Sequence, residues 1–174
     1  MNLGRFTGAA TALLRKREGE TQTEVEYART LGPQPVPSPA VRVLAVLPSG
    51  RDADTLDDIL RRMGWELHRA HDCFQAHSAL ERASMPLVLY DRDVPGPSWG
   101  QALKMLRTAR HPACLILTSR VSDGLLWEEV ILKGGFDVLT RPFDEIQVTR
   151  TLRFALSHWK SGWMRRDWDH FVWK

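Results

Sequence analysis

Residues 85–96 read MPLVLYDRDVPG, and this stretch decides the fold. Leu87, Val88, Leu89 and Tyr90 form an unbroken apolar run, the pattern of a strand buried on both faces. The run stops at Asp91, and Pro95 and Gly96 then turn the chain, so the carboxylate falls at the strand's carboxyl end. In open parallel sheets that end is where ligands bind and chemistry is done.

Two later segments repeat the layout. Residues 113–119, ACLILTS, end in Thr118 and Ser119, and residues 136–143, FDVLTRPF, end in Arg141, Pro142 and Phe143. A strand-end Asp, then Thr, then a basic residue before Pro-Phe resembles the receiver domain of two-component response regulators. The resemblance covers residues 41–158, about one domain's length. It implies a flavodoxin-like, doubly wound sheet of five parallel strands in the order 2-1-3-4-5. It also implies a phosphoacceptor at Asp91, supported by Thr118, Ser119, Arg141 and Pro142, with a cis peptide bond before the proline.

The chain departs from the family at four positions. The family carries a pair of acids at the end of its first strand, here VRVLAVLP at residues 41–48. Counting back from Gly64, where the following helix stops, puts Leu47 and Pro48 at those positions. Receivers build a magnesium site from those acids, and neither a leucine nor a proline side chain offers oxygen to a hard cation. The reading therefore assigns no metal, with Asp93 the one remaining carboxylate candidate, although the turn after Asp91 gives it an ordinary structural role. Arg141 replaces the family's lysine, which suits an ion pair with Asp91 as well as phosphate binding. Three residues before it, Val138 stands where an aromatic would complete the family's switch with Thr118.

Between the strands the chain reads as amphipathic helices. Leu56, Ile59, Leu60 and Met63 make one stripe that Gly64 terminates, and a second helix spans Asp72 to Ala83. Ser98 and Gln101 have capping-box spacing before Ala102, Leu103 and Leu106. A fourth helix starts near Ser122 and ends at Gly134-Gly135. A fifth starts at Asp144 with Val148, Leu152, Ala155 and Trp159 along one stripe. Residues 65–71, WELHRAH, serve as the more exposed second strand.

The 174 residues allow one domain with extensions, and 43% hydrophobic content supplies a core. A net charge of +3 does not by itself call for nucleic acid. No apolar run reaches the ~20 residues that span a bilayer, and FTGAATALL at 6–14 lacks a cleavage signal. Two cysteines, Cys73 and Cys114, suggest neither disulfides nor a zinc site, and a cytoplasmic location is expected. His71, Cys73 and His77 lack a fourth ligand and read as turn and helix residues. The first turn, LPSGRD, is not a dinucleotide loop.

Residues 1–40 read as a flexible arm, with a short helix over Thr7–Arg17 and an extended linker, GPQPVPSP, at 32–39. Residues 159–174 hold four of the seven tryptophans: Trp159, Trp163, Trp168 and Trp173. With Arg165 and Arg166 they read as an interaction tail, or as a prolongation of the fifth helix.

The sequence thus points to a stand-alone, receiver-like regulator in phosphorelay signalling, binding magnesium weakly or not at all and no other cofactor. It would act by contact with a signalling protein, such as a histidine kinase or a downstream effector, through its fourth and fifth helices and tail. The alternatives are a working phosphoreceiver modified at Asp91 and a nucleic-acid-associated protein using the Trp/Arg tail. A conventional enzyme ranks last, because the strand ends show no nucleophile-base pair.

Overall fold

A computed structural model describes residues 40–121 and 124–162. The expected helix over Thr7–Arg17, the linker at 32–39, the helix start at Ser122, and Trp163, Arg165, Arg166, Trp168 and Trp173 lie outside the described residues.

Among these residues five strands alternate with five helices. The strands are β1 (Arg42–Val46), β2 (Glu66–Ala70), β3 (Leu87–Asp91), β4 (Cys114–Ser119) and β5 (Asp137–Thr140). The helices are α1 (Arg51–Arg62), α2 (Cys73–Arg82), α3 (Trp99–Arg107), α4 (Gly124–Leu132) and α5 (Glu145–Lys160). All strand pairings are parallel, in the order β2-β1-β3-β4-β5.

The two-residue period of the strands divides the core in two. Leu44, Val46, Val88, Tyr90, Leu115 and Leu117 pack with α2, α3 and α4. Val43, Ala45, Leu87, Leu89, Cys114, Ile116 and Leu139 pack with α1 and α5. Both faces of the central strands are therefore buried, which is why they read as continuous apolar runs rather than alternating ones.

The helix ends follow local chemistry. Asp72, Ser98 and Asp144 are N-caps whose side chains accept from the backbone N–H three residues on, and Ser98 with Gln101 completes a capping box. Gly64 takes φ +71°, a left-handed conformation that glycine adopts without strain, and ends α1. At the base of α4, Gly135 lies so close to Val130 that an added Cβ would stand 2.5 Å from its Cγ1. The α1 and α5 helices are also joined at the surface, where Arg62 donates to both carboxylate oxygens of Glu145 at 3.0 Å each.

One expected boundary moves. The first strand ends at Val46, so Leu47 and Pro48 begin the loop; Pro48 has no N–H to extend the ladder. The fifth helix runs to Lys160 and carries Trp159, as the stripe from Val148 predicts. Its indole Nε1 donates to the Pro112 carbonyl at 2.8 Å, and its ring packs against the α1 and α5 side of the core. Among the described residues, no helix is long and apolar enough to cross a membrane.

Candidate functional site

The strand register assembles the site. Asp91 pairs with Thr118 across β3 and β4, and Val46 pairs with Tyr90 across β1 and β3. One residue further, Leu47 comes level with Asp91. Backbone bonds carry the alignment past the strand ends: the Arg92 N–H donates to Thr118 O at 2.8 Å, and the Arg141 N–H to Ser119 O at 2.9 Å. Asp91, Thr118 and Arg141 follow the strand positions that face α1 and α5, so these three side chains gather at one corner of the sheet.

Asp91 is fully buried and both its oxygens are engaged. Oδ1 accepts the Asp93 backbone N–H at 3.0 Å. Oδ2 accepts the Thr118 hydroxyl at 2.7 Å and lies 2.7 Å from Arg141 Nε. This last contact is short but angled, so it is a charge contact rather than a formed hydrogen bond. The buried carboxylate has its countercharge directly against it.

Arg141 reaches two further carboxylates. Its Nη1 donates to Asp52 Oδ2 at 3.2 Å, and its Nη2 lies 3.5 Å from Asp93 Oδ2. Asp52 sits in the first turn of α1, where the helix dipole favours an acid. In sequence nothing distinguishes it from Asp54 in the same turn. The Asp93 side chain leans on Arg141, and the turn is ordered by the Asp91 carboxylate instead.

The remaining expected residues fall as follows. Ser119 Oγ accepts the Val121 N–H at 3.1 Å and shapes the β4 exit. The Arg141–Pro142 peptide is cis. Val138 is buried in the cluster with α2, α3 and α4, with no aromatic ring at its position. His71, Cys73 and His77 form no metal-holding group, and neither does any other set among the described residues.

A five-stranded parallel sheet in this order, with an acid, a hydroxyl and a cis-proline strand end at one corner, can be compared with known proteins. The signal receiver domain of an HD-domain-containing protein from Pseudomonas fluorescens superposes with a TM-score of 0.64 at 23% identity, covering 74% of this chain and 96% of that one. The fold is that of a response-regulator receiver domain. The receiver domain of a sensor histidine kinase from Pseudomonas aeruginosa, solved with magnesium coordinated in its active-site cleft, gives a TM-score of 0.60 at 20% identity. It covers 68% of this chain and 98% of that one. A chemotaxis response regulator of Vibrio cholerae gives 0.59 at 20%, covering 67% and 98%.

In sequence, the receiver-like chain is 36% identical over 106 residues to the uncharacterized transcriptional regulatory protein YrkP of Bacillus subtilis. The match takes in 61% of this chain and 45% of that protein, so the chain spans less than half of its relative's length. No protein-family model matches the chain.

Proposed function

We propose that this chain is a receiver-like regulator in phosphorelay signalling that acts by protein–protein contact, with degenerate phosphorylation chemistry. The observation that carries the reading is the state of Asp91: fully buried, with both oxygens engaged and Leu47 level with it where an acid would stand. Phosphoryl transfer to a carboxylate brings several negative charges together and needs positive charge aimed in advance at the entering group. Here the guanidinium is already committed to carboxylates.

The output surface in this reading is formed by α4 and α5. The α4 helix buries only Leu126 and Val130 and exposes Leu125, Trp127, Ile131 and Leu132. The α5 helix exposes Ile146 and Phe154. An exposed apolar face of this kind suits a protein partner. A histidine kinase or an effector fits, and the relative's description as a transcriptional regulatory protein is consistent with the latter.

The second reading, a working phosphoreceiver, is favoured by the retained Thr118 hydroxyl at 2.7 Å from Asp91. A pull-down separates the two. Asp91→Asn should leave partner capture nearly intact, whereas Leu125→Glu with Phe154→Glu should abolish it. Loss of capture with Asp91→Asn, restored to the parent chain by a phosphodonor, would establish the phosphoreceiver instead.

A further inference from the structure

We infer that the Arg141 guanidinium is the resident cation of this site, held in place by Asp52 from the first turn of α1. The inference rests on the receiver reading and concerns how that same corner is regulated. Its starting point is that the residues do not fit a divalent metal. Magnesium requires a near-octahedral set of oxygens at about 2.0–2.1 Å, so its ligands must crowd within about 3 Å of one another. Leu47 and Pro48 contribute no side-chain oxygen. The carboxylates of Asp52, Asp91 and Asp93 are spread around a planar group instead, at 3.2, 2.7 and 3.5 Å from three different nitrogens.

That arrangement explains why an arginine occupies the position. A guanidinium presents donors on three nitrogens in one rigid plane, whereas an ammonium is a single point charge. Lysine at position 141 can face Asp91 or Asp52, but cannot hold one nitrogen against each of three acids. The loss of the first-strand acids and the gain of arginine are then one compensated change: metal ligands go, and a covalently tethered cation takes over the countercharge.

Asp52 is a positioning residue. The Arg141 side chain is 3% exposed and Asp52 26%, so their contact is largely shielded from water and from salt. Asp93, 59% exposed, contributes less. By anchoring Nη1, Asp52 fixes the plane of the guanidinium and keeps Nε on Asp91.

Amide and arginine side-chain NMR, with magnesium chloride as the only added ligand, tests this. In the unaltered chain, magnesium should produce no saturable shift at Asp91 or Asp93 up to about 10 mM, since chelating oxygens at suitable spacing are missing. The Arg141 Nε–H should exchange slowly, and Asp52→Asn should speed its exchange at least tenfold without unfolding the domain. Arg141→Gln, which leaves Asp91 buried without a countercharge, should lower the thermal midpoint by roughly 10 °C. If Arg141→Gln fails to fold, the Asp52→Asn exchange rate decides alone. A saturable magnesium response lost in Asp91→Asn would overturn the inference, as would an Arg141 exchange rate unchanged by Asp52→Asn. These readouts use no phosphodonor and no partner. Phosphorylation-dependent capture with a flat magnesium titration would therefore end the functional reading while leaving this inference standing.

Discussion

Trp127 on α4 and Asp137 at the start of β5 are joined by a hydrogen bond, the indole Nε1 donating to Oδ1 at 3.1 Å. The other carboxylate oxygen accepts the Thr151 hydroxyl from α5 at 3.4 Å. One edge carboxylate thus ties together the two helices that carry the exposed apolar residues. Asp137→Ala should cost about 1–2 kcal/mol in urea unfolding and accelerate amide exchange in α4. Trp127→Phe should reproduce the α4 effect while leaving α5 unchanged. Equal loosening of both helices by Trp127→Phe would contradict this division.

Gly135 is a steric requirement rather than a flexible joint. A Cβ there meets Val130 Cγ1 at 2.5 Å and the Val130 carbonyl at 3.1 Å, so Gly135→Ala forces α4 away from the sheet. The expected loss is about 1–3 kcal/mol, the range for overpacking. A compensating Val130→Ala should recover part of it, and chemical denaturation of the single and double variants is the check.

The domain should weaken in alkali. Burial pushes the Cys114 thiol from 9.0 up to about 12. Burial first, then the charges of Cys73, Asp72 and Asp91, push the Tyr90 phenol from 10.0 up to about 12. Both groups hold their protons more tightly when folded, so the unfolded chain loses them first. Their contribution is complete below about pH 9 and falls away as pH rises towards 12. The urea midpoint should therefore drop across that window, with Cys114→Ala flattening its lower part. A midpoint that climbs with pH would refute the assignment.

Tyr90 carries a cost of its own. Its hydroxyl is buried with no hydrogen-bond partner among the described residues, and leaving such a group unsatisfied costs about 1–3 kcal/mol. Tyr90→Phe should accordingly raise the thermal midpoint while keeping the ring's packing between β3 and the α2 side of the core. A lower midpoint would contradict the cost assigned to this hydroxyl.

The fold was legible because its signals are local. Two-sided apolar runs such as residues 87–90, the Ser98–Gln101 capping box, and Gly64 after the Leu56–Met63 stripe each act within a few residues. Counting back from Gly64 even located Leu47 beside Asp91, since α1 contains no irregularity to shift the count. Long-range partners were not legible. Asp52 lies 89 residues from Arg141, and in sequence it is simply an acid where helix starts favour acids. Asp137 likewise reads as one polar residue at a strand entrance. Trp159 was legible as a member of the α5 stripe, but not its partner, the Pro112 carbonyl, which is 47 residues away.

The separation between Asp52 and Arg141 also bears on the order in which the chain is made. The acids at positions 52, 91 and 93 all precede the base they share among the described residues, which arrives with the end of β5. A nascent chain that has folded β1 to β4 would bury Asp91 before Arg141 is available, so partial burial is penalised until residue 141 has emerged from the ribosome. The ion cluster is in this sense a completion signal. It makes the last strand a condition for the stability of the first four, and a truncated product lacking β5 should unfold more readily, with an exposed β4 edge and an uncompensated acid.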